Sequence, residues 1–389
     1  MLRFVLMKPK ILFVDDDPNI LTSFRSLLRK EFKIDTADLP EKGLQLFKEN
    51  GPYPVVVSDL KMPGMNGLEL LNEIEKINSD TIGIILTGHA DIQAAVTALN
   101  QGHVFRFLMK PAERETISSV INAGLEQHKL ITDNREKARI IQEDLAAAAF
   151  IQHSFLPSKA CNLGEICLHW LFKPSDYVGG DMFNLVQLDE DHSAFYLMDI
   201  SGHGVSAALA AISVSRLLSR SDHFTGRQDT IISPSDMLRQ LEADFPIERM
   251  NKHFTMFYGL LNKKKQTLTY SSAGHLPPLL LRENGQTELL EKGGTVIGLN
   301  VGIPFEQETV PFAVGDRLLC YTDGLSEYES PSGEQFGAPR LESCILNNSS
   351  KGSDSLLECI YKEMLEFGGH RPLQDDVTLC CLEFTGTQS

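Results

Sequence analysis

VGGDMFNLVQLDEDHSAFYLMDISGHG, residues 178–204, carries two aspartates on loops that contain glycine. Asp181 comes directly after two glycines, and Asp199 precedes the loop Ser-Gly-His-Gly. The segment AFYLM between them is apolar and typical of a buried β-strand. Because glycine carries no side chain, a carboxylate beside it can approach an ion closely. The stretch therefore indicates strand ends that present carboxylates, without the residue pattern of a protein nucleophile.

Two further acidic positions of the same kind lie downstream. Asp323 ends the strand-like segment RLLCY in YTDGLSE, and Asp375 opens the last apolar segment in QDDVTLCC. Zn²⁺ sites are usually built from His and Cys, and neither lies at ligand spacing here. Four carboxylates instead suit Mg²⁺ or Mn²⁺. Two such ions ~3.5–4 Å apart polarise a phosphoryl group and generate hydroxide from water near neutral pH. The pattern predicts metal-assisted cleavage of a phosphoester.

Other residues near these acids admit different interpretations. Ser201 and His203 beside Asp199 are the residue types of a Ser-His-Asp hydrolase, but they crowd one loop and no GxSxG turn is present. We interpret His203 as a loop-shaping residue rather than a general acid. We likewise expect His275 in AGHLPP to shape a turn near the site, and Trp170 to lie in the core.

Strands and helices alternate around the four acids. Strand-like segments are SAFYLMDI, FTMFYGLL, TLTYSSA and DRLLCYTD, and helical segments are VSAALAAISVSRLLSR and SPSDMLRQLEADF. Strands of this kind with helices outside them predict an α/β sandwich over residues 158–386.

The segment before this domain is predicted to be helical. From Ala112 to Leu156 there is no proline and one glycine, Gly124. A helix of that length extends ~65 Å at 1.5 Å per residue. Steps of three and four connect a modest heptad seam made of Ile131, Asn134, Ala138, Ile141, Leu145, Ala148, Gln152 and Phe155. We expect residues 128–157 to form a helical linker that pairs with the linker of a second copy, as in a coiled coil, and so forms a homodimer. The alternative is a helix that lies on its own domain.

Residues 8–127 show a third pattern. The apolar runs KILFV, PVVVS, GIILTG and FRFLM lack alternation and are separated by amphipathic segments. Such runs suit a parallel sheet buried on both faces, with helices in the crossovers. The fold class is therefore predicted as α/β, with a doubly wound parallel-sheet domain before the linker helix and the sandwich.

Polar residues follow each of these four runs, namely Asp15, Asp16 and Asp17, then Asp59, Thr87 and Lys110. The carboxyl ends of parallel strands meet in one crevice. Acids gathered there repel one another unless a hard cation such as Mg²⁺ lies between them. One carboxylate can then attack a phosphoryl group and form an acyl phosphate, which Lys110 and the Thr87 hydroxyl would hold. The alternative for any single acid is helix capping, as by Asp17 before PNILTSF.

The segments ILFVDDDPNI, VVVSDLKMPGMNG, ILTGHAD and FRFLMKP together resemble the receiver domain of two-component response regulators. The resemblance implies that Asp59 is the phosphoacceptor and that Asp15 and Asp16 bind Mg²⁺ with it. It implies that Thr87 and Lys110 contact the phosphate, and that a sensor histidine kinase or phosphotransfer protein is the partner. Phe107 would be the aromatic switch, with plain core packing as the open alternative.

Over residues 145–386 the segments FIQHSFLP, VGGDMF, MDISGHG, FTMFYG, SSAGHLPP, GDRLLCYTDGLSE and QDDVTL resemble the PPM family of metal-dependent serine/threonine phosphatases, specifically its SpoIIE and RsbU subgroup. The resemblance implies two Mn²⁺ or Mg²⁺ ions, bridged by Asp199, with the Ile200 carbonyl completing one site. The remaining carboxylates would be those of Asp181, Asp323 and Asp375.

Two positions qualify this resemblance. Asp376 fills the following acidic or amide position and is expected outside the direct ligands. Many relatives carry Asp where this chain has Asn184, which weakens the case that position 184 supports the metal site from outside the direct ligands.

The two resemblances together imply a response regulator whose phosphorylation at Asp59 controls the phosphatase. Its substrate would be a phosphorylated anti-anti-sigma factor of the STAS type. The alternative is a non-catalytic RssB-type adaptor that binds a sigma factor or its regulator, but the presence of all four acids favours the enzyme.

Composition narrows further the classes of protein to which this chain could belong. The 389 residues, 42% hydrophobic and 23% charged, are typical of a soluble protein of two or three domains. A net charge of −16 argues against nucleic acid, and no apolar run approaches the ~20 residues of a membrane helix. MLRFVLMKPK is too short for a signal peptide, and Met7 is a candidate start. Seven cysteines without CxxC predict free thiols in a reducing cytoplasm, with Cys380 and Cys381 on opposite faces of a strand.

Overall fold

The computed structural model describes residues 8–88, 104–159, 161–219 and 231–386. The chain divides into two compact units, residues 1–141 and 142–389. Within the described ranges, no helix combines the length and apolar character needed to cross a membrane. The end of the quoted segment ILTGHAD, residues 89–91, lies outside the described residues, as do Met7 and Arg220.

The first unit contains a parallel β-sheet. Its strands are β1 (Lys10–Val14), β2 (Lys33–Ala37), β3 (Val55–Asp59), β4 (Ile82–Thr87) and β5 (Arg106–Met109). They pair in parallel in the order β2-β1-β3-β4-β5. Side chains of β1 alternate between two apolar clusters, with Phe13 on one face and Val14 on the other. The predicted doubly wound parallel sheet is confirmed.

One strand of this sheet was not predicted. The four apolar runs correspond to β1, β3, β4 and β5, whereas β2 has the sequence KIDTA. This strand lies at the edge of the sheet, where Lys33 is exposed and Asp35 is half-buried. An edge strand needs no continuous apolar run because one of its sides meets solvent, so hydrophobicity alone does not reveal it.

Helices cover both faces of the sheet. They are α1 (Pro18–Leu28), α2 (Pro40–Asn50), α3 (Gly67–Ile77) and α4 (Arg114–His153). Phe24 of α1 and Ile121 of α4 pack in one cluster, and Phe47 of α2 and Leu71 of α3 pack in the other. Asp17 caps α1, since its side chain accepts a hydrogen bond from the amide of Asn19 at 2.8 Å. The capping interpretation of Asp17 is therefore correct.

Helix α4 is the predicted linker helix. It has 40 residues, beginning two residues after Ala112 and ending three residues before Leu156. Its first turns belong to the core of the first unit, while large apolar side chains further along are exposed, including Ile140, Ile141, Phe150 and Ile151. The predicted seam fails at Gln152, because this side chain is buried against the second unit's own backbone.

The second unit is built from short strands and helices. In chain order its strands are β6 (Cys161–Leu163), β7 (Ile166–Lys173), β8 (Met182–Gln187), β9 (His192–Ile200), β10 (Phe254–Asn262), β11 (Thr267–Ala273), β12 (Leu279–Leu281), β13 (Thr287–Leu289), β14 (Gly293–Gly294), β15 (Glu308–Pro311), β16 (Arg317–Tyr321) and β17 (Val377–Phe384). Its further helices are α5 (Val205–Leu218), α6 (Pro234–Asp244), α7 (Ile247–Met250), α8 (Asp323–Ser326), α9 (Gly337–Asn347) and α10 (Ser353–Phe367).

These strands form two mainly antiparallel sheets. One has the order β14-β11-β10-β9-β8, with β15 also paired to β11, and the other has the order β13-β12-β16-β17-β7-β6. Of the strand pairs in the described part of this unit, only β11 with β14 is parallel. The pairing brings the carboxyl end of β9 beside the start of β10, where Asp199 pairs with Thr255.

The two sheets face each other across the main core, which contains Phe195 and Tyr258 from one sheet and Leu318 and Cys380 from the other. Helices α5 and α6 pack on the first sheet, and α9 and α10 on the second. The α/β sandwich is confirmed. Cys381 belongs to the helix-facing cluster, so the two neighbouring cysteines do face opposite sides.

Candidate functional sites

The first candidate site lies at the carboxyl ends of the parallel strands. Asp15, Asp59 and Thr87 are buried there, with exposures of 1%, 8% and 2%. The Lys110 ammonium lies 2.6 Å from Asp15 Oδ2 and 2.8 Å from Asp59 Oδ1. Its backbone amide donates to the Thr87 carbonyl at 2.8 Å. The structure thus brings these four predicted residues together.

Three acids of this site have the spacing of a metal centre. Asp15, Asp16 and Asp59 each offer a carboxylate oxygen, and these oxygens lie within 4.8 Å of one another. Asp16 is exposed while the other two are buried. Because the donors are all carboxylate oxygens and one side is open to water, the set fits Mg²⁺, which keeps several water ligands.

The electrostatics of the site follow from burial and pairing. Burial raises the pKa of Asp15, against the opposing effect of the hydrogen bond from Lys110. Burial by itself lowers the pKa of Lys110, but its hydrogen bonds to Asp15 and Asp59 outweigh this and raise it. Lys110 therefore stays charged at neutral pH and holds both carboxylates in place.

Phe107 is half-buried and packs against the cluster that contains Ile85, its partner in the β4–β5 register. Core packing is therefore observed for Phe107, and its role as an aromatic switch stays a prediction.

The Thr87 hydroxyl donates to the Gly88 carbonyl at 3.3 Å.

The second candidate site gathers acids from four separate elements of the sandwich. Asp181 directly precedes β8, Asp199 is the penultimate residue of β9, Asp323 begins α8, and Asp375 lies two residues before β17. Asp181 is 1% exposed, Asp199 and Asp323 are half-buried, and Asp375 is exposed. The carboxylates therefore run from the interior of the sandwich to its surface.

The charges of these carboxylates raise one another's pKa values. Burial, then the charges of Asp323 and Asp375, raise the pKa of Asp199 to about 7. Burial and the charge of Asp199 raise the pKa of Asp181 well above its usual range. Burial and the charge of Asp375 raise the pKa of Asp323. Such like-charge crowding is relieved by a cation placed among the carboxylates.

The spacing of this second group differs from that of the first. Over the residues that the structure describes, the acids of the sandwich do not place three ligand atoms within 4.8 Å of one another, as Asp15, Asp16 and Asp59 do. The donor set still consists of oxygen atoms alone, which fits Mg²⁺ or Mn²⁺ and not Zn²⁺.

Two threonines hold Asp181. Its Oδ2 accepts hydrogen bonds from Thr322 Oγ1 at 2.8 Å and from Thr378 Oγ1 at 2.5 Å. Each hydroxyl stabilises the charged form and opposes the rise in the pKa of Asp181. Sequence reasoning did not find these residues, although Thr322 directly precedes Asp323 and Thr378 lies three residues after Asp375.

Asp376 is engaged by backbone donors. Its Oδ1 accepts from the Ser175 amide at 2.8 Å, and its Oδ2 accepts from the Gly180 amide at 2.6 Å. A Cβ on Gly179 would lie 2.3 Å from Asp376 Oδ2, so only glycine permits this approach. Through these hydrogen bonds Asp376 orients the loop of Asp181, and its expected position outside the direct ligands stays a prediction.

The Ile200 carbonyl faces the same loop. A Cβ on Gly180 would lie 2.7 Å from this oxygen, and the Ile200 amide donates to the Gly180 carbonyl at 3.4 Å. The two glycines therefore let the loop before β8 approach the end of β9 closely. The Ile200 carbonyl therefore lies against the loop that carries Asp181, and its role as a metal ligand stays a prediction.

Ser201 of the neighbouring loop takes a structural position, and the loop-shaping role of His203 stays a prediction. Ser201 Oγ accepts from the His253 amide at 3.2 Å, and the Ser201 carbonyl accepts from Lys252 Nζ at 2.8 Å. His203 is exposed. These contacts shape the loop after β9 and give no Ser-His-Asp relay.

His275 is buried in the sandwich, and Trp170 is half-buried and packs against the main core. Burial lowers the pKa of His275 to about 4, and its Nδ1 lies 2.8 Å from Thr255 Oγ1. The imidazole is therefore neutral and supports the strand beside Asp199. The Trp170 ring packs 5.3 Å from the ring of Phe183.

The Asn184 side chain forms hydrogen bonds within the strand pair β8–β9. Its Oδ1 accepts a hydrogen bond from the Leu185 amide at 2.9 Å, and its side chain bonds to the Tyr196 hydroxyl. Position 184 thus belongs to a polar network between β8 and β9, and the expectation about its role near the metal ligands stays untested.

The first unit is a parallel receiver-type sheet with an acid–lysine crevice, and the second is an α/β sandwich with carboxylates at its strand ends. Together they define the class of receiver-linked PPM-type phosphatase domains. Residues 11–122 match the response regulator receiver domain, and residues 189–385 match stage II sporulation protein E (SpoIIE). Because the second match covers more than half of the 389 residues, the chain belongs to the SpoIIE family.

Curated relatives share this architecture in part. Protein IcfG of Synechocystis is 24% identical over 276 residues, which cover 65% of this chain and 43% of IcfG. Phosphoserine phosphatase RsbU of Bacillus subtilis is 25% identical over 246 residues, which cover 62% of this chain and 70% of RsbU. The chain therefore spans less than half the length of IcfG.

A solved structure shows the same fold for the second unit. The SiaA-PP2C domain of Pseudomonas aeruginosa superposes with a TM-score of 0.56 at 22% identity, covering 64% of this chain and 98% of that domain. The likeness concerns the fold of the sandwich.

Proposed function

We propose that the chain is a two-component response regulator in which phosphorylation of Asp59 controls a metal-dependent protein serine/threonine phosphatase. The domains would be the receiver over 8–127, the helical linker over 128–157 and the phosphatase over 158–386. The observation that carries the proposal is the convergence of Asp181, Asp199, Asp323 and Asp375 from four elements of a SpoIIE-type sandwich.

The residues of the sandwich have distinct roles in this proposal. Asp199 would bridge two Mn²⁺ or Mg²⁺ ions, with the Ile200 carbonyl and the carboxylates of Asp181, Asp323 and Asp375 as further ligands. Such ions, when bound, polarise the phosphoryl group and lower the pKa of bound water. Thr322 and Thr378 orient Asp181 and favour its ionised form, and Asp376 fixes the loop that carries it.

The receiver residues supply the control. Asp59 would take a phosphoryl group from a sensor histidine kinase or phosphotransfer protein, with Mg²⁺ held by Asp15, Asp16 and Asp59. The Lys110 ammonium, now shared by Asp15 and Asp59, would move its contacts to the added phosphoryl oxygens. Thr87 at the end of β4 would bind the same group through its hydroxyl.

The name of one relative supports the proposed substrate class. RsbU is named a phosphoserine phosphatase, so we propose a phosphoserine on a STAS-type anti-anti-sigma protein as the substrate, in the cytoplasm. The exposed apolar side chains of α4, including Ile140 and Ile141, support a homodimer through the linker helix.

The test of the proposed function is hydrolysis of a phosphoserine STAS protein by the full chain with Mn²⁺. We expect Mn²⁺-dependent phosphate release whose rate differs between the free receiver and the receiver treated with beryllofluoride. Absence of hydrolysis in both receiver states would overturn the enzymatic function and leave the non-catalytic adaptor as the better description.

Replacing Thr378 by valine should raise the Mn²⁺ concentration for half-maximal hydrolysis of p-nitrophenyl phosphate about tenfold. Valine has nearly the same shape but leaves Asp181 without its 2.5 Å hydroxyl donor, and loss of an outer partner typically costs about 10–100-fold in metal affinity. Thr378→Ser keeps a hydroxyl and should stay near wild type. Equal metal requirements for the valine and serine variants would contradict the role given to Thr378.

A further inference from the structure

The segment FIQHSFLP places one buried polar side chain at the end of α4. Gln152 is 2% exposed, while Phe150, Ile151 and His153 beside it are exposed. A buried side-chain amide is costly unless its donor and acceptor are both satisfied. Gln152 must therefore have partners inside the second unit.

Both partners of Gln152 belong to one residue. Its Nε2 donates to the Gly179 carbonyl at 2.7 Å, and its Oε1 accepts from the Gly179 amide at 3.1 Å. The side chain thus binds the backbone of Gly179 as a neighbouring strand would, with two hydrogen bonds. This contact fixes the peptide planes on both sides of Gly179.

The next residues along the chain form the candidate metal site. The Gly180 amide donates to Asp376 Oδ2 at 2.6 Å, and Gly180 lies against the Ile200 carbonyl. Asp181 follows at once. A shift at Gly179 would therefore move the Asp181 carboxylate and the carbonyl next to Asp199 relative to each other.

We propose that Gln152 is a positioning residue that holds the loop Gly179–Asp181 in its site-forming geometry and so connects the end of helix α4 to metal binding in the phosphatase. The inference rests on the proposed function, since it assigns a regulatory contact to that same site. Helix α4 begins in the receiver unit's core and ends one residue after Gln152. A change in the last turn of α4 therefore reaches the site through these two hydrogen bonds.

The test uses full-length Gln152→Met, which keeps the length of the side chain but cannot make either hydrogen bond. Gln142→Met is the matched control, because Gln142 is exposed on the same helix. Because Gly179 loses both of its side-chain hydrogen bonds, the amides of Gly179–Asp181 in the metal-free protein should exchange with deuterium about tenfold faster. The Mn²⁺ concentration for half-maximal hydrolysis of p-nitrophenyl phosphate should rise about tenfold, with kcat at saturating Mn²⁺ little changed.

A lower melting temperature with unchanged loop exchange and unchanged Mn²⁺ requirement would show a helix anchor only and would overturn the inference. If Gln152→Met does not fold, Gln152→Glu decides by the same measurements, because glutamate keeps the acceptor for the Gly179 amide and loses the donor. If wild type shows no Mn²⁺-dependent hydrolysis, the proposed function fails by itself. Faster loop exchange in the variant would then still support the positioning role, and equal exchange would overturn it.

Discussion

Replacing Asp199 by asparagine should lower Mn²⁺-dependent phosphate release about a thousandfold. Asp199 is the carboxylate assigned to both ions, and its charge is felt by its neighbour Asp181. Metal ions contribute several kcal/mol to the transition state in such reactions, and ~1.4 kcal/mol corresponds to a factor of ten in rate. The measurement is kcat/KM on a phosphoserine protein, with Asp144→Asn, an exposed acid of the same unit, as the control.

The loss should not come from unfolding. Burial raises the pKa of Asp199 to about 7. Without metal, and at a pH between the usual aspartate pKa and about 7, Asp199 is therefore protonated in the folded chain and ionised in the unfolded chain. Ionisation therefore destabilises the metal-free fold as pH rises through this range. Asparagine removes that effect, and the melting temperature of the metal-free variant near pH 7 should equal or exceed that of wild type. Full activity in Asp199→Asn would contradict the catalytic assignment.

The same variant separates the two classes of function. A non-catalytic adaptor would keep its partner binding and its cellular effect with asparagine at this position. A phosphatase would lose its effect together with hydrolysis.

Replacing Asp59 by asparagine should abolish labelling by a small phosphodonor in the presence of Mg²⁺. The carboxylate is the attacking group of the acyl phosphate, and asparagine cannot form one. Beryllofluoride should likewise stop changing the phosphatase rate, a change we expect to be about 5–150-fold in wild type from a typical coupling free energy. Incorporation of labelled phosphate and the rate with and without beryllofluoride are the measurements.

Asp38→Asn is the matched control for Asp59, because Asp38 is an exposed acid of the same unit paired with Lys42. It should be labelled and regulated like wild type. Labelling of Asp59→Asn equal to that of wild type would show that another residue accepts the phosphoryl group.

Most of the fold could be predicted because its signals are local. Buried parallel strands such as β3 have continuous apolar sequences, and the strands of the sandwich carry acids directly at their ends. Strand β2 was missed because an edge strand satisfies its packing with two or three apolar side chains. The long helix was predicted from the absence of proline, within three residues at each end.

The surroundings of the acids were harder to predict than the acids themselves. Thr322, Thr378 and Ser175 bind carboxylates that are 141–201 residues away in sequence, so no local pattern marks them. Gln152 fits a heptad seam by spacing, but periodicity does not distinguish a face that meets a second copy from one that meets its own chain. Only the three-dimensional contact with Gly179 decides this.

The central claim is that four distant aspartates form one binding site for paired divalent cations. Anomalous scattering from crystals of the full chain grown with Mn²⁺ tests it, with the Asp15–Asp59 site as the internal control for metal occupancy. We predict two peaks within ligand distance of Asp199, with Asp181, Asp323, Asp375 and the Ile200 carbonyl as the other ligands. A peak at the receiver site with none beside Asp199 would contradict the claim.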